Sequence, residues 1–99
     1  MNWPVTNTDE IKDLKRLAVF FKEKTPKEIA AMEFWPGDYG DFSTALMLAG
    51  WEVIFCEEYW FAARKLNQSQ YIEYIEGDIY IRDNLQSTQL HAHRAKVIQ

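Results

Sequence analysis

The hydrophobic period of this chain changes at Gly50, and no other feature narrows the possible folds as much. Before Gly50 the apolar residues recur at helical spacing: Ile11, Leu14, Leu17, Ala18 and Phe21 line one side of a first helix, while Lys12, Asp13, Lys15, Arg16 and Lys22 fall mostly on the other. After it, the runs WEVIFCEE, YWFAARKL, QYIEYIE and DIYIRD alternate or stay apolar and are rich in aromatic and β-branched residues, as strands are. Helices followed by strands, instead of alternating with them, predict an α+β fold. The expected architecture is two or three N-terminal helices on one face of a three- to four-stranded antiparallel sheet, with strands near 51–57, 59–66, 70–76 and 78–83. An apolar fraction of 47% is enough to support a core for one domain of 99 residues.

Local signals place the boundaries. Asn7, with Glu10 three residues on, is the expected cap of the first helix. Thr25-Pro26-Lys27-Glu28 is a stronger signal, with a Thr cap, Pro where a missing N–H costs nothing, and Glu at the third helical position. The helix it starts cannot run far beyond Phe34, because Pro36 disfavours helical backbone at Trp35 and Gly37 follows. Asp38 or Asp41 then caps a third helix, which Gly50 ends in the left-handed conformation. In the last hairpin a two-residue loop, Glu76-Gly77 or Gly77-Asp78, puts Ile72, Tyr74, Ile79 and Ile81 on one face and Glu73, Tyr80 and Arg82 on the other. Asn67-Gln68-Ser69 reads as a second turn, and Glu57-Glu58 as a third turn or as the middle of one long bent strand. Residues 1–86 are expected to form the domain. Residues 87–99 are a tail or a short helix capped by Ser87 or Thr88 and containing Leu90, Val97 and Ile98.

Few residues suggest chemistry. A net charge of −4 argues against a protein built to neutralise phosphates, so nucleic acid is an unlikely partner. One cysteine gives neither a disulfide framework nor a paired zinc ligand, which fits a reducing cytoplasm. Neither a signal peptide nor a membrane span is expected, since MNWPVTNTDE lacks a basic start and an apolar run and nowhere do ~18 uninterrupted apolar residues occur. Cys56 lies beside Glu57 and Glu58, whose carboxylates oppose a reactive thiolate. His91 and His93 read as exposed residues of a frayed tail, with no further ligand fixed near them. Asp38, Asp41, Glu57 and Glu58 match no acid–base or cation motif and read as caps and turn residues; Gly37 and Gly40 lack the Lys of a phosphate loop. No catalytic, cofactor or metal site is expected.

The middle of the chain is unusual in two other ways. Phe34, Trp35, Tyr39, Phe42, Trp51, Phe55, Tyr59, Trp60 and Phe61 crowd it, and one buried layer cannot take them all. Between Lys27 and Arg64 there is no Lys, Arg or His, while Glu28, Glu33, Asp38, Asp41, Glu52, Glu57 and Glu58 all lie there. An acidic, aromatic-lined face of that kind suits a basic protein partner. The residues expected on it are Trp35, Asp38, Tyr39, Asp41, Glu57, Glu58 and Trp60.

Within this stretch Pro36-x-Asp38-Tyr39-x-x-Phe42, followed by Gly50, resembles the Pro-x-Asp-Tyr-x-x-Phe…Gly segment of SUKH-type bacterial immunity proteins. The likeness is confined to residues 36–50, and the acidic-leucine-glycine lead-in of that family does not precede it. The expected function is a small non-catalytic cytoplasmic interaction domain, of accessory, immunity or inhibitor type and bacterial or phage origin. The alternative is a small homo-oligomer that buries its aromatics and a sheet edge between subunits and has a structural or small-ligand role.

Overall fold

The computed structural model describes residues 13–98, and for Val97 and Ile98 the backbone alone. Three helices, α1 (Leu14–Glu23), α2 (Pro26–Ala30) and α3 (Tyr39–Leu48), precede four strands, β1 (Trp51–Glu57), β2 (Trp60–Lys65), β3 (Tyr71–Ile75) and β4 (Asp78–Arg82). A 3-10 turn at Leu85–Ser87 leads into a last helix, α4 (Gln89–Ile98). The sheet is an antiparallel meander in the order β1-β2-β3-β4, so the chain has the α+β class expected of it.

The helix ends follow from side-chain chemistry. Thr25 and Glu28 form a reciprocal capping box at the start of α2. Of the two candidate caps for α3, Asp38 is the one used; its Oδ1 accepts from the N–H groups of Gly40 and Asp41 at 2.7 and 3.2 Å. Gly50 closes α3 at φ 90°, a conformation that costs a β-carbon-bearing residue about 1–2 kcal/mol. Asp13 caps the described part of α1, and the cap expected at Asn7 lies outside the described residues. The last turn of α1 is tied to the sheet by two carbonyls, Phe21 accepting from the Trp51 indole at 3.2 Å and Lys22 from the Lys65 ammonium at 2.8 Å.

Register settles the two short turns. Ile75 pairs with Asp78, leaving Glu76-Gly77 as a two-residue loop with φ of 48° and 102°. Glu57 pairs with Trp60 after an irregularity at Cys56, so the Glu57-Glu58 region is a turn, with Glu58-Tyr59 as its loop.

One face of the sheet, with Trp51, Phe61, Ala63, Ile72, Tyr74 and Ile79, packs on Leu17, Phe21, Ile29, Trp35, Phe42, Ala45 and Leu46 of the helical layer. The opposite face is also covered. There α4 places Leu90 against Ala62 and Tyr71, with Ile54, Cys56, Trp60 and Leu85 around them. Residues 89–98 are therefore helical and docked through Leu90, with Thr88 as the cap: its hydroxyl accepts from the His91 N–H at 3.1 Å.

Glu73 explains why that helix docks. It stands in the middle of β3, fully buried, and its carboxylate accepts four hydrogen bonds. Two come from side chains, the Trp60 indole at 2.9 Å and the Arg82 guanidinium at 2.8 Å. Two come from the first backbone N–H groups of α4, Gln89 at 3.0 Å and Leu90 at 2.8 Å. Burial pushes the Glu73 carboxyl up, but the bonds from Trp60, Arg82, Gln89 and Leu90 outweigh it and hold the group below its ordinary value. With Thr88 serving the His91 N–H, and Leu85 the Thr88 N–H, the orphan donors at the start of α4 are satisfied.

Candidate functional site

Three segments meet at one end of the sheet: the Glu58-Tyr59 loop, the Glu76-Gly77 loop and the α2–α3 connection at 33–38. Backbone hydrogen bonds stitch them together. The Glu76 N–H donates to the Tyr59 carbonyl, the Trp35 N–H to Gly77 and the Ile79 N–H to Glu33, each at 2.8 Å, and Phe34 bridges to Asp78. These segments are fixed to one another before any side chain is considered.

Aromatic rings fill the seam. The Tyr39 ring, at the first residue of α3, lies 5.2 Å from Tyr59, 5.6 Å from Tyr74 and 5.9 Å from Phe61. Phe55 adds its ring 6.0 Å from Phe61. The strip is anchored in the core at Phe61 and Tyr74 and emerges at Tyr59 and Phe55, which remain 49% and 46% exposed. Emergent rings backed by buried ones make rigid contact area with little side-chain entropy left to lose.

The same end of the sheet carries many carboxylates. Glu33, Asp38, Glu58, Glu76 and Asp78 are exposed on the segments just described, and Asp41 lies in the first turn of α3. Among the described residues none of these six forms an ion pair; the carboxylates that do are Asp13 with Arg16, Glu52 with Arg64 and Glu73 with Arg82, while Glu57 lies 3.1 Å from a ring nitrogen of His93. The tyrosines register the excess charge. Burial raises the Tyr39 phenol and the Glu58 carboxylate raises it further. The Tyr74 phenol is raised by burial and then by Tyr59, Tyr39 and Asp38.

The backbone here is also strained. Glu33, Tyr59 and Glu76 have φ of 72°, 62° and 48°, in the left-handed region that Gly or Asn would occupy at lower cost. Among the described residues the other non-glycine residue of this kind is Asn67, which is suited to the conformation and sits in the β2–β3 turn at the far end of the sheet. Three exposed side chains, two of them acidic, are thus kept where each costs roughly 1–2 kcal/mol of local conformational energy.

Of the residues expected from sequence, the fold brings Asp38, Tyr39, Asp41 and Glu58 to this end. Trp35 lies beneath it: only 4% exposed, it stacks on Phe42 at 4.8 Å and donates its indole N–H to the Asp38 carbonyl at 2.7 Å. It positions the α3 cap and offers no ring to a partner. Glu57 and Trp60 turn to the α4 face, Glu57 meeting the His93 ring nitrogen at 3.1 Å and Trp60 bonding Glu73. Sequence reasoning missed Glu33, Phe55, Tyr59 and Glu76 as members of the site. A Glu directly before Gly77, in a loop that demands left-handed backbone at both residues, is the signal that was available.

Among the described residues no group of three or more His, Cys, Asp or Glu side chains is arranged to hold a metal ion. Cys56 is half-buried; burial raises its thiol and the Glu57 carboxylate raises it further, so it is a poor nucleophile. No described helix is long and apolar enough to cross a membrane. No family model matches the chain, and no curated protein or solved structure matches it significantly, so the SUKH-like segment at 36–50 remains a local likeness.

Proposed function

We propose that this protein is a non-catalytic cytoplasmic interaction domain that docks a basic protein partner on the acidic, aromatic end of its sheet. The observation that carries the reading is the coincidence, at three stitched segments, of carboxylates that form no ion pair among the described residues with the emergent rings of Tyr59 and, on the adjoining β1, Phe55. Strain at Glu33, Tyr59 and Glu76 supports it, because backbone cost is retained where a side chain does something that Gly or Asn could not. Such a surface draws a basic partner in by long-range attraction and holds it by burying the rings.

The test is capture of basic proteins at low ionic strength on the immobilised domain. The triple variant Glu33→Lys, Glu58→Lys, Glu76→Lys is expected to lose capture, while Glu23→Lys, on exposed α1 surface, retains it. Capture retained equally by both variants rejects the reading. Trp35→Ala is unsuitable as a contact test, since it acts through the fold.

A further inference from the structure

The protein's own pairing habits indicate which cation its acidic end is made for. Elsewhere its rings are met by its own cations: Lys24 over Phe20 at 5.4 Å, Lys65 over Trp51 at 5.8 Å, Arg64 over Tyr71 at 5.9 Å and Arg82 over Tyr80 at 5.0 Å. Both arginines pair with a carboxylate at the same time, Arg64 with Glu52 at 3.0 Å and Arg82 with Glu73 at 2.8 Å. One planar guanidinium serves a ring and a carboxylate together, which a lysine ammonium does less well.

At the acidic end the same two components stand, among the described residues, without the third. The Tyr59 ring is half-exposed and leans on Tyr39, and the Glu58 carboxylate acts on the Tyr39 phenol. Glu76 is joined to Tyr59 through the backbone. No described Lys, Arg or His pairs with Glu58 or Glu76, and none lies over Tyr59. Resting on the acidic-end reading above, we infer that the partner presents an arginine, whose guanidinium stacks on the Tyr59 ring and pairs with Glu58 or Glu76. Tyr59 holds left-handed backbone, φ 62°, in the two-residue loop that it shares with Glu58.

The experiment uses fluorescein-labelled nona-arginine and nona-lysine peptides of equal charge, titrated with the full chain and read by anisotropy at low salt. The arginine peptide is expected to bind about 3–10-fold more tightly, the scale of a partly desolvated cation–π contact. Tyr59→Leu should remove that preference and leave the lysine peptide unchanged, and Tyr59→Phe should restore it. Far-UV circular dichroism checks that both variants are folded. Equal affinity for the two peptides, or a preference that survives Tyr59→Leu, overturns the arginine inference and leaves the acidic-end reading standing. Binding of both peptides that is indifferent to Glu58→Gln, Glu76→Gln rejects the acidic-end reading, and the inference with it. Sedimentation of the chain alone adds a further outcome. Salt-sensitive self-association abolished by that double variant would make a second copy the occupant, and would overturn the inference.

Discussion

Glu76 is the residue at which stability and function are most directly opposed. An Asn-Gly pair is the favoured occupant of a two-residue loop with both φ angles positive, and Glu76-Gly77 holds that conformation with a worse first residue. Glu76→Asn is therefore expected to stabilise the fold by roughly 0.5–1 kcal/mol, seen as a higher urea midpoint at unchanged slope. The same variant should weaken capture of basic proteins. Unchanged stability would mean that the loop is not strained as described. Trp35 behaves in the opposite way. Truncating a buried indole that stacks on Phe42 and holds the Asp38 carbonyl is expected to cost about 3–5 kcal/mol, measured by the same denaturation. Periodicity suggested neither role. It marks faces and turns, whereas the burial of Trp35 follows from the 33–38 segment folding back onto the Glu76-Gly77 loop, a contact more than forty residues away in sequence.

The elements themselves were far more legible than their partners. All four strands were expected within about one residue of where they lie, and the Thr25 box and the Gly50 stop were read directly, because each is decided by residues within a turn of one another. Asp38 and Asp41 were equivalent in sequence. The Trp35 indole, by donating to the Asp38 carbonyl, fixes the backbone at the residue that serves as the cap. The docking of α4 was not legible, since it depends on Glu73, which the alternation put on a face with Tyr80 and Arg82 and which a second helix then buries. A group held below its unfolded pKa adds stability above the ordinary carboxylate range and loses it as pH falls through the folded value. Acid should therefore release α4 ahead of the sheet. Amide hydrogen exchange in 90–98 is expected to accelerate on acidification, after correction for intrinsic rates, while β2 and β3 stay protected. Glu73→Ala strands the Arg82 guanidinium and should expose 90–98 at neutral pH, at a cost of about 3–5 kcal/mol. Loss of α4 and sheet together at one pH would show that the helix is not a separate unit.

At the scale of the molecule, charge is sorted along the strands. Lys65 reaches the end of α1, and Arg64 reaches the Gln68 carbonyl beyond β2, so cations gather where β2 ends and carboxylates gather at the two short loops. Compositional reading found the acidic stretch and its basic counterparts, but only the meander could decide that they face opposite ways. The meander also leaves β1 as an edge strand, while the β4 edge is covered in part by the Phe34–Asp78 bridge. Glu52 and Glu57 on β1 are placed to discourage strand addition to that edge. Glu52→Ile, Glu57→Ile is expected to yield higher-order species by light scattering at concentrations where the parent yields none. An unchanged scattering profile would assign protection of the edge to other residues.

The position of Glu73 also orders events in time. Each strand pairs with its neighbour in sequence, so the sheet can assemble through short loop closures alone. The carboxylate on the inner strand β3 receives two of its four donors from a helix that begins at Gln89, after all four strands in the chain. Until that helix arrives, Glu73 stands hydrated on an open face beside Trp60 and Arg82. A growing chain therefore carries a wet, half-built wall until α4 has been made, and residues 89–98 are the ones that make that side of the sheet dry.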